Sequence, residues 1–161
     1  MTDWTNWYKL KEKLLSLSNS EDWSFAKNEW TLDHIYYIEK GEEYETCSCG
    51  HSPIQEVCVI RNIENHNTAI VGNVCVQKFI DQIDSWNLFD WLKRISKDLS
   101  SWPSKELIEY AFEKWYINDW EYKFCSDRFW RKKFTWKQLE TREKINQKIL
   151  IRLRKYHDTK N

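Results

Sequence analysis

Four of the five cysteines fall between residues 47 and 75, and this cluster constrains the fold more than any other feature. The spacing is C-x-C-x8-C-x16-C, formed by Cys47, Cys49, Cys58 and Cys75. Clustered cysteines in an intracellular protein bind metal more often than they form disulfides. A structural zinc ion takes four such ligands in a closed tetrahedron. The cluster therefore predicts a structural Zn²⁺ site with these four thiolates as ligands.

His51 competes with Cys58 for the fourth ligand position, because it follows Cys49 by only two residues. The spacing lacks the CxxC pairs of standard zinc fingers, so both alternatives stay open. A cysteine on a strand also packs as a small apolar residue, and Cys58 would then belong to the core alone. With four protein ligands the metal would have no open position for catalysis.

Local signals place the cluster on a β-hairpin followed by a helix. Apolar alternation predicts a strand over 54–63, Asn65-His66-Asn67 is typical of a turn, and 68–71 returns as the second strand. A helix is predicted over 74–81, with Cys75 in its first turn. Free backbone N–H groups and the positive end of the helix dipole there favour a thiolate.

The remaining chain is predicted to be mainly helical. Residues 30–45 favour an extended lead-in strand, whereas apolar residues recur at helical spacing in five other segments, namely 3–17, 86–99, 105–116, 117–130 and 136–155. Ser104 and Thr135 are predicted caps of the helices that follow them. The predicted fold is α+β, a zinc-stapled β-hairpin with flanking aromatic-rich α-helices and a mostly helical C-terminal half.

A length of 161 residues suits one domain over 1–161. We divide it into N-terminal helices with the lead-in strand (1–45), the zinc-binding hairpin and helix (46–84) and a helical region (85–161). No apolar run approaches the length of a membrane span, and the N-terminus lacks the features of a signal peptide. We therefore expect a cytoplasmic protein that does not bind membranes.

Aromatic residues make up 16% of the chain, including 11 Trp. Helical spacing predicts that most of them are core residues, Trp115 among them. An exposed cluster of Trp side chains would instead mark a protein partner, because such residues anchor interfaces.

The net charge of zero is unevenly distributed. Residues 131–161 carry eleven Lys or Arg and three Asp or Glu, a net charge of +8 with histidine neutral. This excess is typical of a solvated helix face, and it also fits a surface for phosphates. Four cations flank Phe134 and Trp136, in a pattern typical of single-stranded nucleic-acid binding, and they are Arg131, Lys132, Lys133 and Lys137.

No catalytic motif is present. The chain has no Gly-rich phosphate loop, no G-x-S-x-G and no H-E-x-x-H. Cys125 is isolated and is predicted to be a core thiol, since a nucleophilic role would need a histidine beside it in space. These observations favour a protein that is not an enzyme.

The run from Cys47 to Phe79 reads Cys-x-Cys-Gly…Pro-Ile-x-Glu-x-Cys…Arg-Asn…Val-Gly-Asn-Val-Cys-Val-x-x-Phe. It resembles small zinc-knuckle proteins carried by bacteria, phages and mobile elements. Two further segments between Ile117 and Asn146 resemble the same proteins, and they read Ile-Asn-Asp-Trp-Glu and Phe-Thr-Trp-Lys-Gln. The resemblance implies a zinc-bearing α+β fold. Some small zinc-binding phage proteins inhibit CRISPR effector nucleases.

Two hypotheses follow for the function. The first is a non-enzymatic zinc-binding interaction protein. The resemblance suggests that it is a phage-encoded anti-CRISPR inhibitor that binds a bacterial CRISPR effector protein in the host cytoplasm. The second is a zinc-ribbon protein that binds nucleic acid through the basic helix within 131–155.

Overall fold

The computed structural model describes residues 2–80, 85–128 and 131–154. These residues form two compact units, one over 2–80 and the other over 85–128 with 131–154. The described ranges contain seven α-helices and one three-stranded antiparallel sheet, which confirms the predicted α+β class. The single-domain organisation stays a prediction. None of the described helices is both long and apolar enough to cross a membrane.

The N-terminal unit is built around the sheet. Its elements in chain order are α1 (Thr2–Ser16), α2 (Trp23–Ala26), a 3-10 turn (Lys27–Glu29), β1 (Trp30–Tyr37), β2 (Glu56–Asn62), β3 (Thr68–Gly72) and α3 (Asn73–Val76). The sheet order is β1-β2-β3, and both pairs are antiparallel. The predicted hairpin is confirmed as β2 and β3, and the lead-in stretch supplies β1. The helix predicted over 74–81 is the single turn α3, and residue 81 lies outside the described ranges.

The closed end of the hairpin is held by side-chain amides and one carboxylate. Asn62 is fully buried, and its Oδ1 accepts hydrogen bonds from the backbone N–H groups of Glu64 and Asn65. Its Nδ2 donates to Glu29 at 2.7 Å, and this bond is the main reason that the pKa of Glu29 lies below its ordinary value. His66 takes the left-handed conformation of the turn with φ 65°. At the opposite, open end of the hairpin, Ser48 donates to the carbonyl of Ile70 and the N–H of Gly72 donates to Cys47 Sγ.

The C-terminal unit is helical. Its elements are α4 (Ser85–Lys97), α5 (Lys105–Glu113), α6 (Asp119–Ser126) and α7 (Trp136–Leu153). Both predicted caps are confirmed. The Ser104 hydroxyl accepts from the N–H of Leu107, and Thr135 forms a capping box with Gln138. The long helix α7 begins at Trp136, separated from the basic segment 131–133 by Phe134 and the cap residue Thr135.

Candidate metal centre

Three cysteines meet at the open end of the hairpin. The Sγ atoms of Cys47, Cys49 and Cys75 all lie within 4.8 Å of one another. Cys47 and Cys49 are buried, at 3% and 2% exposure, and Cys75 is partly buried. Across the described ranges this is the one group of three or more Cys, His, Asp or Glu side chains close enough to share an ion.

The backbone of residues 47–51 folds into a tight turn that presents the first two thiols. The N–H of Gly50 donates to the carbonyl of Cys47 at 2.8 Å, and the N–H of Cys47 donates to the carbonyl of His51 at 2.9 Å. Gly50 has φ 90°, a conformation that a residue with a Cβ rarely adopts. Ser48 anchors this turn on β3, because its N–H and hydroxyl both donate to the carbonyl of Ile70.

Backbone N–H groups converge on two of the sulfurs. The N–H groups of Cys49 and Gly72 donate to Cys47 Sγ at 3.5 and 3.2 Å, and the N–H of His51 donates to Cys49 Sγ at 3.4 Å. Such donors stabilise a thiolate and lower its affinity for a proton. The turn is therefore organised around negatively charged sulfur, the form in which cysteine ligates metal.

The protonation of the three thiols is linked. A hydrogen bond from the Cys75 thiol, followed by the N–H donors, holds the pKa of Cys47 well below its ordinary value. The same bond raises the pKa of Cys75, and burial raises the pKa of Cys49. Cysteine thiols must lose their protons to ligate a metal, so the affinity of the group for a divalent cation should fall as pH falls.

The structure does not bring Cys58 or His51 into the group. Cys58 is fully buried on β2, paired with Ile35 of β1 on one side and Val71 of β3 on the other. Burial raises the pKa of its thiol to about 12, and the negative charges of Glu56 and Cys47 contribute to the rise. The His51 side chain is exposed. Three of the predicted ligands thus lie together, and the identity of the fourth stays a prediction.

The predicted nucleic-acid contacts lie together at the start of α7. Residues 131–133 and Lys137 are exposed, and Trp136 is 69% exposed with the Lys137 Nζ 5.7 Å from its ring centroid. The Phe134 ring packs on the Trp102 ring at a centroid distance of 4.8 Å. The basic side chains and the Trp136 indole are therefore exposed, whereas Phe134 packs against the protein.

Cys125 lies outside both the three-sulfur group and the basic segment before α7. It is fully buried in α6, and burial raises its pKa to about 12. This environment disfavours a nucleophilic thiolate, as expected of a core thiol.

Trp115 was predicted to be buried, and the structure corrects this. It is 88% exposed and has φ 61°, which makes it a left-handed residue just past the end of α5. The N–H of Tyr116 donates to the carbonyl of Ala111, and that of Trp115 donates to Phe112, which together form a Schellman motif. Glycine is the usual residue at this position. The usual sequence signal for a helix end was missing, since neither Gly nor Asn directly follows the apolar stripe of α5.

No protein-family model, curated protein or solved structure matches the chain. The resemblance to zinc-knuckle proteins, the phage origin and the immune-effector partner therefore stay predictions. Function has to be inferred from the residues themselves.

Proposed function

We propose that this protein is a non-enzymatic zinc-binding interaction protein. In this proposal the ion stabilises the turn and hairpin, and exposed aromatic side chains bind a protein partner. The observation that carries the proposal is the meeting of three cysteine sulfurs within 4.8 Å. Structural metal sites contribute directly to folding free energy, because the unfolded chain has no preformed site.

Zinc is the metal that this donor set fits best. Soft thiolates select zinc, copper(I) and iron–sulfur clusters. Iron–sulfur clusters are typically held by four cysteines, and only three sulfurs meet in the described part of the chain. Zinc accepts three cysteines with one further ligand in closed structural sites. Copper(I) is the rival, and metal analysis distinguishes the two.

Native mass spectrometry of the full chain tests the metal assignment. We expect one zinc ion per chain, which a strong chelator removes. Cys47→Ala should abolish zinc binding, because it removes the sulfur that accepts two N–H donors. Cys125→Ala is the matched control, since it removes an equally buried thiol outside the group. A metal-free chain, or zinc retained by Cys47→Ala, would overturn the proposal.

Exposed aromatic residues support a protein partner. Trp115, Trp120 and Trp136 of the C-terminal unit are all more than 60% exposed. Large indoles left in water lose the free energy that burial would provide, and they are enriched among residues that dominate interface affinity. The bacterial immune effector suggested by resemblance stays a prediction about which partner this is.

A second candidate function is the binding of single-stranded nucleic acid. The specific observation behind it is the exposed group formed by residues 131–133, Trp136 and Lys137. Bases stack on exposed indoles, while neighbouring cations contact phosphates. Residues 131–133 and Lys137 hold four cations in all.

Salt dependence tests this candidate. Four phosphate contacts to single-stranded DNA would give a slope of about −3 in log K against log salt, so a fourfold rise in salt should weaken binding roughly 50-fold. The double variant Lys132→Glu/Lys133→Glu should abolish binding. Its control is Lys13→Glu/Lys27→Glu, the same charge change on exposed lysines of the N-terminal unit. If the purified protein binds no DNA or RNA at low salt, this candidate fails.

A further inference from the structure

Three sulfurs leave one position of a tetrahedral zinc ion to be filled. No fourth Cys, His, Asp or Glu joins Cys47, Cys49 and Cys75 within 4.8 Å in the part of the chain that the structure describes. A structural site is closed by protein, whereas water in that position would make it an open one. The fourth ligand therefore decides what kind of site this is.

Cys58 is poorly placed to supply the missing ligand. Its strand β2 is the central strand, and the backbone ladder holds it to β1 and β3 on both sides. Cys58 is fully buried at this paired position, and its sulfur lies outside the 4.8 Å group. The close packing of the core around it restricts movement of the thiol toward the ion.

His51 is placed differently, because its backbone already belongs to the ligand turn. Its N–H lies 3.4 Å from Cys49 Sγ, and its carbonyl accepts the N–H of Cys47 at 2.9 Å. The backbone of His51 is thus held next to the Cys49 sulfur and to the backbone of Cys47. Its imidazole, in contrast, is exposed. Rotation about side-chain bonds alone changes where this ring lies, with no change in the backbone.

We propose that His51 is the fourth ligand and that its imidazole moves from solvent onto the ion when zinc binds. The inference rests on the proposed zinc-binding function. It makes the site a Cys₃His centre, one of the standard structural donor sets. Neutral imidazole suits zinc, and it adds no negative charge to the three thiolates.

X-ray absorption spectroscopy of the zinc-loaded full chain tests the assignment. The wild type should show three sulfur scatterers at about 2.3 Å and one nitrogen at about 2.0–2.1 Å, with the outer-shell pattern of an imidazole. His51→Ala should lose the imidazole pattern. It should also bind zinc at least tenfold more weakly in competition with a chromophoric chelator, since even losses of groups that only orient a ligand weaken metal binding about 10–100-fold.

The matched control is His66→Asn, which removes another imidazole at a left-handed turn position that Asn tolerates. It should leave both the spectrum and the affinity unchanged. Four sulfur scatterers would overturn the proposal in favour of Cys58, and an imidazole pattern that survives His51→Ala would also overturn it. A light scatterer without imidazole character in the wild type would assign the position to water. Absence of zinc from the wild type would instead contradict the proposed function itself.

Discussion

Removal of the metal is expected to lower the melting temperature of the protein by roughly 5–16 °C. An ion bound only to the folded state stabilises it by about 2.7 kcal/mol at a hundredfold excess over Kd and about 4.1 kcal/mol at a thousandfold excess. Each kcal/mol shifts the melting temperature of a chain of this size by about 2–4 °C. The physical reason is that backbone N–H groups point at the sulfurs of Cys47 and Cys49 and so favour thiolates. The positive charge of the ion would balance the negative charge of these thiolates.

Cys75→Ser separates the metal effect from packing. Cys75 is only partly buried, so exchanging sulfur for oxygen loses little apolar contact, yet it removes one of the three ligand atoms. Melting curves should show the same loss for this variant as for chelation, and a chelator should have almost no further effect on it. Two changes that act through one interaction are not additive.

Cys58→Ala serves as the control for the melting experiment. It alters a buried thiol outside the three-sulfur group, so its melting temperature should still fall when the metal is removed. An unchanged melt of the wild type after the metal has been shown to leave would mean that the three cysteines act only as core residues. The stabilising role proposed for zinc would then be wrong.

Trp115→Gly is expected to stabilise the fold and weaken partner binding at the same time. A left-handed conformation costs an L-residue with a Cβ about 1–2 kcal/mol, and glycine avoids this cost. The lost side chain was 88% exposed, so little packing is removed. Denaturant unfolding should therefore show a gain of about 1 kcal/mol.

Trp115→Ala is the matched variant for this position. It also removes the indole but keeps the Cβ in the left-handed conformation, so its stability should stay within about 0.5 kcal/mol of the wild type. Both variants should bind the protein partner at least about 30-fold more weakly, the effect of losing 2 kcal/mol at an interface anchor. Isothermal titration with the partner measures this loss.

The Trp115→Gly variant is informative because its stability is expected to rise while its affinity for the partner falls. Backbone strain persists where the surrounding structure imposes it, and it is concentrated at functional sites. A Trp115→Gly variant that is less stable than the wild type would show that the left-handed conformation carries no strain. A variant that binds the partner with unchanged affinity would remove Trp115 from the interface.

Much of the fold could be predicted because its signals are local. The caps of α5 and α7 depend on hydrogen bonds between residues three positions apart, as for Ser104 with Leu107 and Thr135 with Gln138. The hairpin follows from apolar alternation and the Asn-rich turn, and the meeting of Cys47, Cys49 and Cys75 follows from a turn, a hairpin and a helix start. Each of these depends on neighbouring residues, which the sequence displays directly.

The sequence by itself therefore determined the α+β class and the three cysteines that meet in the candidate metal centre. Only the tertiary structure decided the position of Cys58, because pairing with β1 makes β2 a central strand and holds its thiol in the core. It also decided the exposure of Trp115. Helical periodicity assigns a face only inside a helix, and α5 ends at Glu113, where Phe112 stacks on Tyr122 of α6 at 4.5 Å. Beyond that end the chain turns left-handed and directs the indole into solvent.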